Sequence, residues 1–260
     1  MRIPLFLSVA GRWLRTEPRR RTGARLAFVT VALWARGRGL PLGRRPFVVA
    51  PTAPNGASVR LLLWDYIDVL VAREVFLDGD YVIPEALRPA TIVDLGANSG
   101  IAARFLSAMF PTARIVAAEP DPRNLARLHR NVAGLGQVRV VEAAVAPDPG
   151  TAHFVVASEG WASALSDGGP AEGTIEVACV TLDSLLDSGK ADLLKVDIEG
   201  GEWPLLEAGA LQAASDCIVG EAHYDGHDEQ ELRQWLRDFD VTVHKEHHGV
   251  ASFTATRRPG

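Results

Sequence analysis

From Thr91 to the end of the chain, short apolar runs alternate with longer amphipathic stretches, and this alternation restricts the fold more than any other feature. TIVDL, ARIVAAE, QVRVVEAAV, DLLKVDI and DCIVGEAHY each read as a buried strand. Between them, IAARFLSAMF, DPRNLARLHRNVAGLG, EWPLLEAGA and DEQELRQWLRDF read as helices. Asp121 is placed to cap the second helix, with Pro122 in its first turn and Gly134 or Gly136 to end it. VTVHKEH and VASFTATR close the chain as an antiparallel pair. Strands that alternate with helices predict an α/β domain with a mostly parallel seven-stranded sheet and an antiparallel last strand. An extra hairpin, Thr151 to Ala157 with Thr174 to Val180, is expected between the third and fourth units. Its intervening loop, EGWASALSDGG from Glu159 to Gly169, would cover a substrate. Trp161 in that loop could stack on a sugar or a planar ring, or simply pack.

A chain of 260 residues, 47% of them hydrophobic, can bury one substantial core. Three parts are expected: residues 1–45 as a basic extension with one helix (Gly23 to Arg36), 46–90 as a connecting or cap region, and 91–260 as the main domain. The middle part carries short strand-like runs, FVVA and VRLLLW. The start, MRIPLFLSVAG, makes a poor signal peptide, and no apolar run approaches the ~20 residues that cross a bilayer. Cys179 and Cys217 form no ligand spacing and read as buried reduced thiols of a cytoplasmic protein. Arginine is used far more than lysine, which fits a GC-rich bacterial genome.

The net charge of -5 hides a division. Met1 to Arg45 holds eleven arginines and one acid, a net +10, which leaves 16 basic and 31 acidic residues, or -15, for the rest. Such an arm could meet phosphates, an anionic membrane surface or the acidic body itself. Docking on the body or a solvated face is the favoured expectation, and pairing of copies through the arm is a second. DNA is not expected as a partner.

In a sheet of this kind, ligands bind at the carboxyl ends of the strands, where the strand order reverses. The loop after the first strand, Gly96-Ala97-Asn98-Ser99-Gly100, lacks the G-x-G-x-x-G spacing of a dinucleotide site. It is preceded by Asp94, an acid awkward beside a diphosphate and better suited to an ammonium group. Glu119 ends the next strand, 25 residues later, where a carboxylate can accept both hydroxyls of a ribose; Pro120 follows it. A ligand with a ribose diol, an amino acid and a cation but no diphosphate is S-adenosylmethionine.

Here the chain resembles a known family. VDLGANSG, AAEPDPRNLARLHRNV, VTLDSLL and LLKVDIEGGEWPLLEAG together are similar to the FkbM-type methyltransferases, a branch of the Rossmann-like S-adenosylmethionine-dependent enzymes, over roughly Val59 to His223. The resemblance implies a class I Rossmann-like fold and O-methylation, often of sugars or natural-product intermediates in secondary metabolism. It places Asp94, Gly96, Asn98 and the adjoining Ser99 in the cofactor loop and Glu119 at the ribose. Glu142 and Ala143 fall where adenine sits, and Asp197 and Glu199 at the rim beside the methyl group. The arm before about Pro46 lies outside the resemblance.

Asp197 and Glu199 share one face if their strand persists, and Glu221 and His223 are likewise two apart on the next strand. Methyl transfer to oxygen needs an in-line approach and a base for the hydroxyl proton. His223 is the first candidate for that base, its ordinary pKa being about 6.5, and Glu199 the second; Asp197 would hold the sulfonium. Each has a plainer reading: Asp197 and Glu199 as caps of the next helix, His223 as a loop hydrogen-bonder. His227, His244, His247 and His248 read as solvent-facing. Asp197, Glu221 and His223 also form a set that could take magnesium, although no spacing requires a metal.

Rival functions are an RNA ribose methyltransferase, a NAD-dependent oxidoreductase and a non-catalytic cofactor-binding module. The missing glycine spacing opposes the nicotinamide reading. DIEG, standing where an N-P-P-Y-like segment would be, opposes methylation of base amino groups.

Overall fold

The arm opens as two helices where one was expected. The computed structural model describes residues 4–155, 164–165, 173–187 and 189–259, and begins with α1 (Leu5–Thr16) and α2 (Arg20–Arg36). The start of the chain, taken above only as a short apolar run, is amphipathic: Val9, Ala10 and Trp13 make one buried stripe. Gly23 lets the helices meet, since a Cβ there would lie 2.7 Å from the carbonyl oxygen of Trp13. Trp13, Leu26, Val29 and Leu33 enter the same apolar cluster as Ile92, Ile101 and Phe105 of the main domain. The arm therefore docks on the body. Arg12 pairs with Asp78, and buried Glu17 accepts hydrogen bonds from the Thr52 amide (3.1 Å) and hydroxyl (2.6 Å).

Residues 46–90, expected as a connecting or cap region, hold elements of their own. β1 (Phe47–Val49) and β2 (Leu61–Leu63) pair antiparallel, as the two strand-like runs suggested. They are followed by an unforeseen helix, α3 (Tyr66–Arg73), which runs on into a π-helical turn, Glu74–Asp78. The signal was present: Asp65 caps α3 in a box with Asp68, each side chain accepting from the other's amide.

The remaining elements follow in chain order: β3 (Thr91–Leu95), α4 (Ile101–Met109), β4 (Arg114–Ala118), α5 (Pro122–Val132), β5 (Val138–Val141). After them come β6 (Ala144–Val145), β7 (Gly150–Val155), β8 (Ala164–Leu165), β9 (Thr174–Val180), β10 (Leu193–Val196), α6 (Glu202–Glu207) and α7 (Ala210–Ala214). The chain ends with β11 (Cys217–His223), α8 (Glu229–Trp235), β12 (Phe239–His247) and β13 (Val250–Arg257). Seven strands form the main sheet in the order β12-β13-β11-β10-β3-β4-β5. Only the pairings of β13 are antiparallel, so the expected sheet and its antiparallel last strand are what forms. Alternate residues face opposite layers: Ile92 and Leu193 pack beneath the arm, Val93 and Leu194 against the other face. Asp121 caps α5 by accepting from the Arg123 amide, and Gly134 beyond its end adopts φ +83°.

The third strand is shorter than expected. It breaks after Val141, and Ala144–Val145 leaves for a second sheet of order β6-β9-β7-β8. Its body is the predicted hairpin, in register from Gly150↔Cys179 to Val155↔Thr174. Most of the loop from Glu159 to Gly169, including Trp161, lies outside the described residues. Cys179 and Cys217 are buried and free. Among the described residues, no helix is long and apolar enough to cross a membrane.

Candidate functional site

The strand order reverses between β3 and β10, and a cleft opens at their carboxyl ends. Its walls come from five places: the loop after β3, the end of β4, the start of α5, the second sheet, and the loop after β10.

The β3–α4 loop is held by tight backbone geometry. Gly96 has φ +72°, and a Cβ on it would stand 1.8 Å from the carbonyl oxygen of Asp197, so the neighbouring strand end leaves room for glycine alone. The Gly96 and Ala97 amides donate to the Ala118 carbonyl at 3.1 and 3.0 Å. Asn98 turns left-handed at φ +48°, a conformation asparagine tolerates better than most side chains. Buried Asn131 donates to the Ser99 carbonyl at 2.7 Å and exchanges hydrogen bonds with the backbone of Leu62, tying the loop to β2.

Glu119, just past β4, is nearly fully buried yet lies on the cleft wall. One carboxylate oxygen accepts from the Asn98 amide and the other from the Asp121 amide, each at 2.8 Å. Burial pushes its pKa up to about 7 against the opposing pull of these hydrogen bonds. A carboxylate oxygen has more than one acceptor site, so both can still meet a ligand's hydroxyls.

Of the residues expected at the cofactor, Gly96, Asn98, Glu119, Pro120, Ala143 and Asp197 line the cleft. Asp94, Ser99 and Glu142 do not, and each position has a physical reason. Asp94 is fully buried, and the ammonium it meets is the chain's own Lys195, whose Nζ lies 3.0 Å from Oδ1. Ser99 is fully buried within the loop. Glu142 points to solvent and pairs with His129 at 2.9 Å, because the strand has already broken beside it. Phe154 of the second sheet, with Val145, supplies an apolar wall in its place.

The rim beyond β10 gathers charge. β10 ends at Val196, so Asp197 and Glu199 do not share a strand face; Glu199 sits in a left-handed turn at φ +52°. Asp197 Oδ2 accepts from the Tyr81 hydroxyl at 2.8 Å and lies 3.8 Å from Lys195 Nζ. Glu202, buried at the start of α6, accepts from the amides of Ile198 (2.8 Å) and Gly200 (2.9 Å) and so fixes the DIEGG turn. Its Oε1 also holds His223 Nδ1 at 3.2 Å. The other ring nitrogen of His223 faces Glu199 at 3.3 Å and Glu221 at 3.9 Å.

This surrounding changes the role of the histidine. Burial alone would lower its pKa, but the hydrogen bond to Glu202 and the field of Glu202, Glu199 and Asp197 raise it to about 10. The carboxyl groups that converge on His223 thus favour its charged form and weaken it as a proton acceptor. Burial raises Glu199 to about 8, despite His223, and Glu221 to about 9, with Asp197 adding to the rise.

Asp197, Glu221 and His223 also offer one ligand atom each within 4.8 Å of one another, a set that fits a divalent ion. Of the other histidines, His227 stacks on Trp203 at 4.1 Å between ring centres and pairs with Glu231; His244 contacts the Thr254 hydroxyl at 2.8 Å.

Lys195, Tyr81 and Phe154 were missed. For Lys195 the signal existed, because a lysine inside the apolar run DLLKVDI must be paired if that strand is central. Nothing in the sequence links Tyr81 to Asp197, 116 residues away.

The family profile described as the Methyltransferase FkbM domain matches residues 94–243. Among solved structures, a Klebsiella pneumoniae protein provisionally named an O-methyltransferase is 16% identical, covering 98% of each chain with a TM-score of 0.48. Precorrin-6y C5,15-methyltransferase from Geobacter metallireducens GS-15 is 18% identical over 70% of this chain and 96% of its own, with a TM-score of 0.42. The N-terminal domain of EvdMO1, solved with SAH bound, is 17% identical over 65% of this chain and 75% of its own, with a TM-score of 0.42. A comparison with curated proteins finds no match.

Proposed function

The chain belongs to the FkbM methyltransferase family, with a class I Rossmann-like fold and S-adenosylmethionine as methyl donor, and from that premise we propose that it methylates a hydroxyl oxygen of a small molecule or glycan. The observation that carries this reading is the meeting, in one cleft, of the Glu119 carboxylate with the Asp197–Glu199 rim.

In this reading Glu119 accepts the ribose hydroxyls, with its two amide partners fixing the carboxylate plane. The wall of Ala143, Val145 and Phe154 takes the adenine. The backbone of Gly96 and Asn98 faces the methionine portion, and Asp197 offsets the sulfonium charge. Methyl transfer itself needs only alignment and removal of one proton. Glu199 is the group suited to that removal. It lines the cleft, and its pKa of about 8 lies close to neutral pH, where general bases act best. His223 is then a positioning residue: anchored by Glu202, it holds the carboxyl groups of Glu199 and Glu221 in place. Should a divalent ion bind Asp197, Glu221 and His223, it would supply Lewis-acid polarisation of the acceptor hydroxyl.

The test is mass spectrometry of the purified protein for bound adenosylhomocysteine, followed by a screen of hydroxylated acceptors with labelled S-adenosylmethionine. Label appearing on nitrogen or carbon, or only on RNA ribose, would replace this reading.

A further inference from the structure

The docked arm leaves an outer face that is both apolar and cationic. Eleven large apolar residues are exposed among the described residues, and eight of them fall between Leu5 and Val48. On α1, Leu7 and Leu14 are two turns apart on one side, Leu14 being 57% exposed. On α2, Ala24, Phe28 and Val31 follow the i, i+4, i+7 spacing of a single stripe, and Phe28 is 65% exposed. Phe6 stacks on Trp34 with ring centres 3.8 Å apart, which sets the start of α1 beside the end of α2. Exposed Leu5 and Leu7 therefore share one end of the hairpin with exposed Leu40 and Leu42.

The charge around this face is free to act outward. Arg12, Arg19, Arg25 and Arg36 are spent on Asp78 and on backbone carbonyls of the body. Arg15, Arg20, Arg21, Arg44 and Arg45 make no side-chain hydrogen bond or ion pair among the described residues. Arg20 and Arg21 moreover occupy the first turn of α2, which has no acid and no side-chain cap; cations there oppose the helix dipole unless an anion lies nearby.

We propose that the helical hairpin α1–α2 is a docking surface for an anionic phospholipid bilayer, its leucines, Phe28 and Val31 entering the headgroup boundary while the free arginines meet lipid phosphates. Aliphatic side chains interleaved with arginine are what a monotopic interfacial helix presents. A second copy is a poorer occupant, because two such arms face to face would bring their arginines together. RNA would satisfy the arginines but leave the leucines without an apolar partner.

The test uses the full chain in co-sedimentation with phosphatidylcholine vesicles, with and without phosphatidylglycerol. Binding is expected only with the anionic lipid and is expected to fall at high salt. Phe28→Asp with Val31→Asp, and separately Arg20→Glu with Arg21→Glu, should each weaken it by about tenfold or more. Both pairs lie outside the buried core, so unchanged circular-dichroism melts would show that the fold is intact. Equal binding to both vesicle types, or vesicle binding that both double variants leave unaltered, would overturn the proposal. So would a dimer by light scattering that Phe28→Asp with Val31→Asp dissociates.

Discussion

Lys195 Nζ lies 3.0 Å from Asp94 Oδ1, and neither side chain reaches solvent. The same ammonium donates to the carbonyls of Leu95 (3.0 Å) and Gly96 (2.8 Å). One buried cation thus gathers the end of β3, the turn into the β3–α4 loop and, at 3.8 Å, the rim carboxylate Asp197. Burial opposes the charge on Lys195, yet Asp94, with Asp197 and Glu221 farther off, raises its pKa.

Removing the ammonium strands a buried carboxylate. Lys195→Met is expected to destabilise the protein by ~3–5 kcal/mol in denaturant titrations. Pairing it with Asp94→Leu should recover part of that loss. A double variant no more stable than the single one would mean that the pair is not coupled.

Glu119 is the residue on which cofactor affinity should turn. By calorimetry, Glu119→Ala is expected to weaken S-adenosylmethionine by at least ~100-fold, about 2.7 kcal/mol. Glu142→Ala, at an exposed position off the cleft, should leave affinity unchanged. The reverse pattern would mean that the ligand sits elsewhere.

Proton acceptance by Glu199 predicts a pH profile. Its pKa is raised to about 8, so below that value it carries its proton and cannot accept another. kcat/KM should therefore rise through about pH 8, and Glu199→Gln should remove this limb and slow turnover by ~10²–10⁴-fold. His223→Ala should lower kcat with little change in cofactor binding and shift the limb upward, because His223 lowers the Glu199 pKa. A wild-type limb near pH 6.5 that His223→Ala abolishes would return the role of base to the histidine.

Chelation separates a carboxylate base from a metal-assisted reaction. With Glu199 as base, turnover is expected to persist in EDTA. Loss of activity in chelator, restored by magnesium and absent in Glu221→Gln, would assign the chemistry to an ion at Asp197, Glu221 and His223.

Gly96→Ala should be poorly tolerated, because its Cβ would stand 1.8 Å from the Asp197 carbonyl oxygen at φ +72°. Gly134→Ala has φ +83° but open space around the new methyl and should cost only ~1–2 kcal/mol, the price of the left-handed conformation. Comparable melting temperatures for the two would show that the strand ends can separate.

What the sequence determined by itself was the parallel scaffold and the addresses of the strand ends. Apolar runs such as TIVDL and ARIVAAE state their own burial, and a carboxylate just beyond such a run, like Glu119, must emerge at the sheet's edge because strand periodicity is local. Tertiary structure decided which of those carboxylates face the cleft and which proton each holds. Asp94 and Glu119 both lie at strand ends, yet one is neutralised by Lys195 from a neighbouring strand while the other opens on the cavity. The pKa of His223, a candidate base by its sequence position, is raised because Glu202 and Glu199 converge on it. Tyr81, from the segment read as a connecting or cap region, reaches Asp197 across 116 residues. Local pattern fixes backbone form, whereas charge state depends on burial and on neighbours brought together through space.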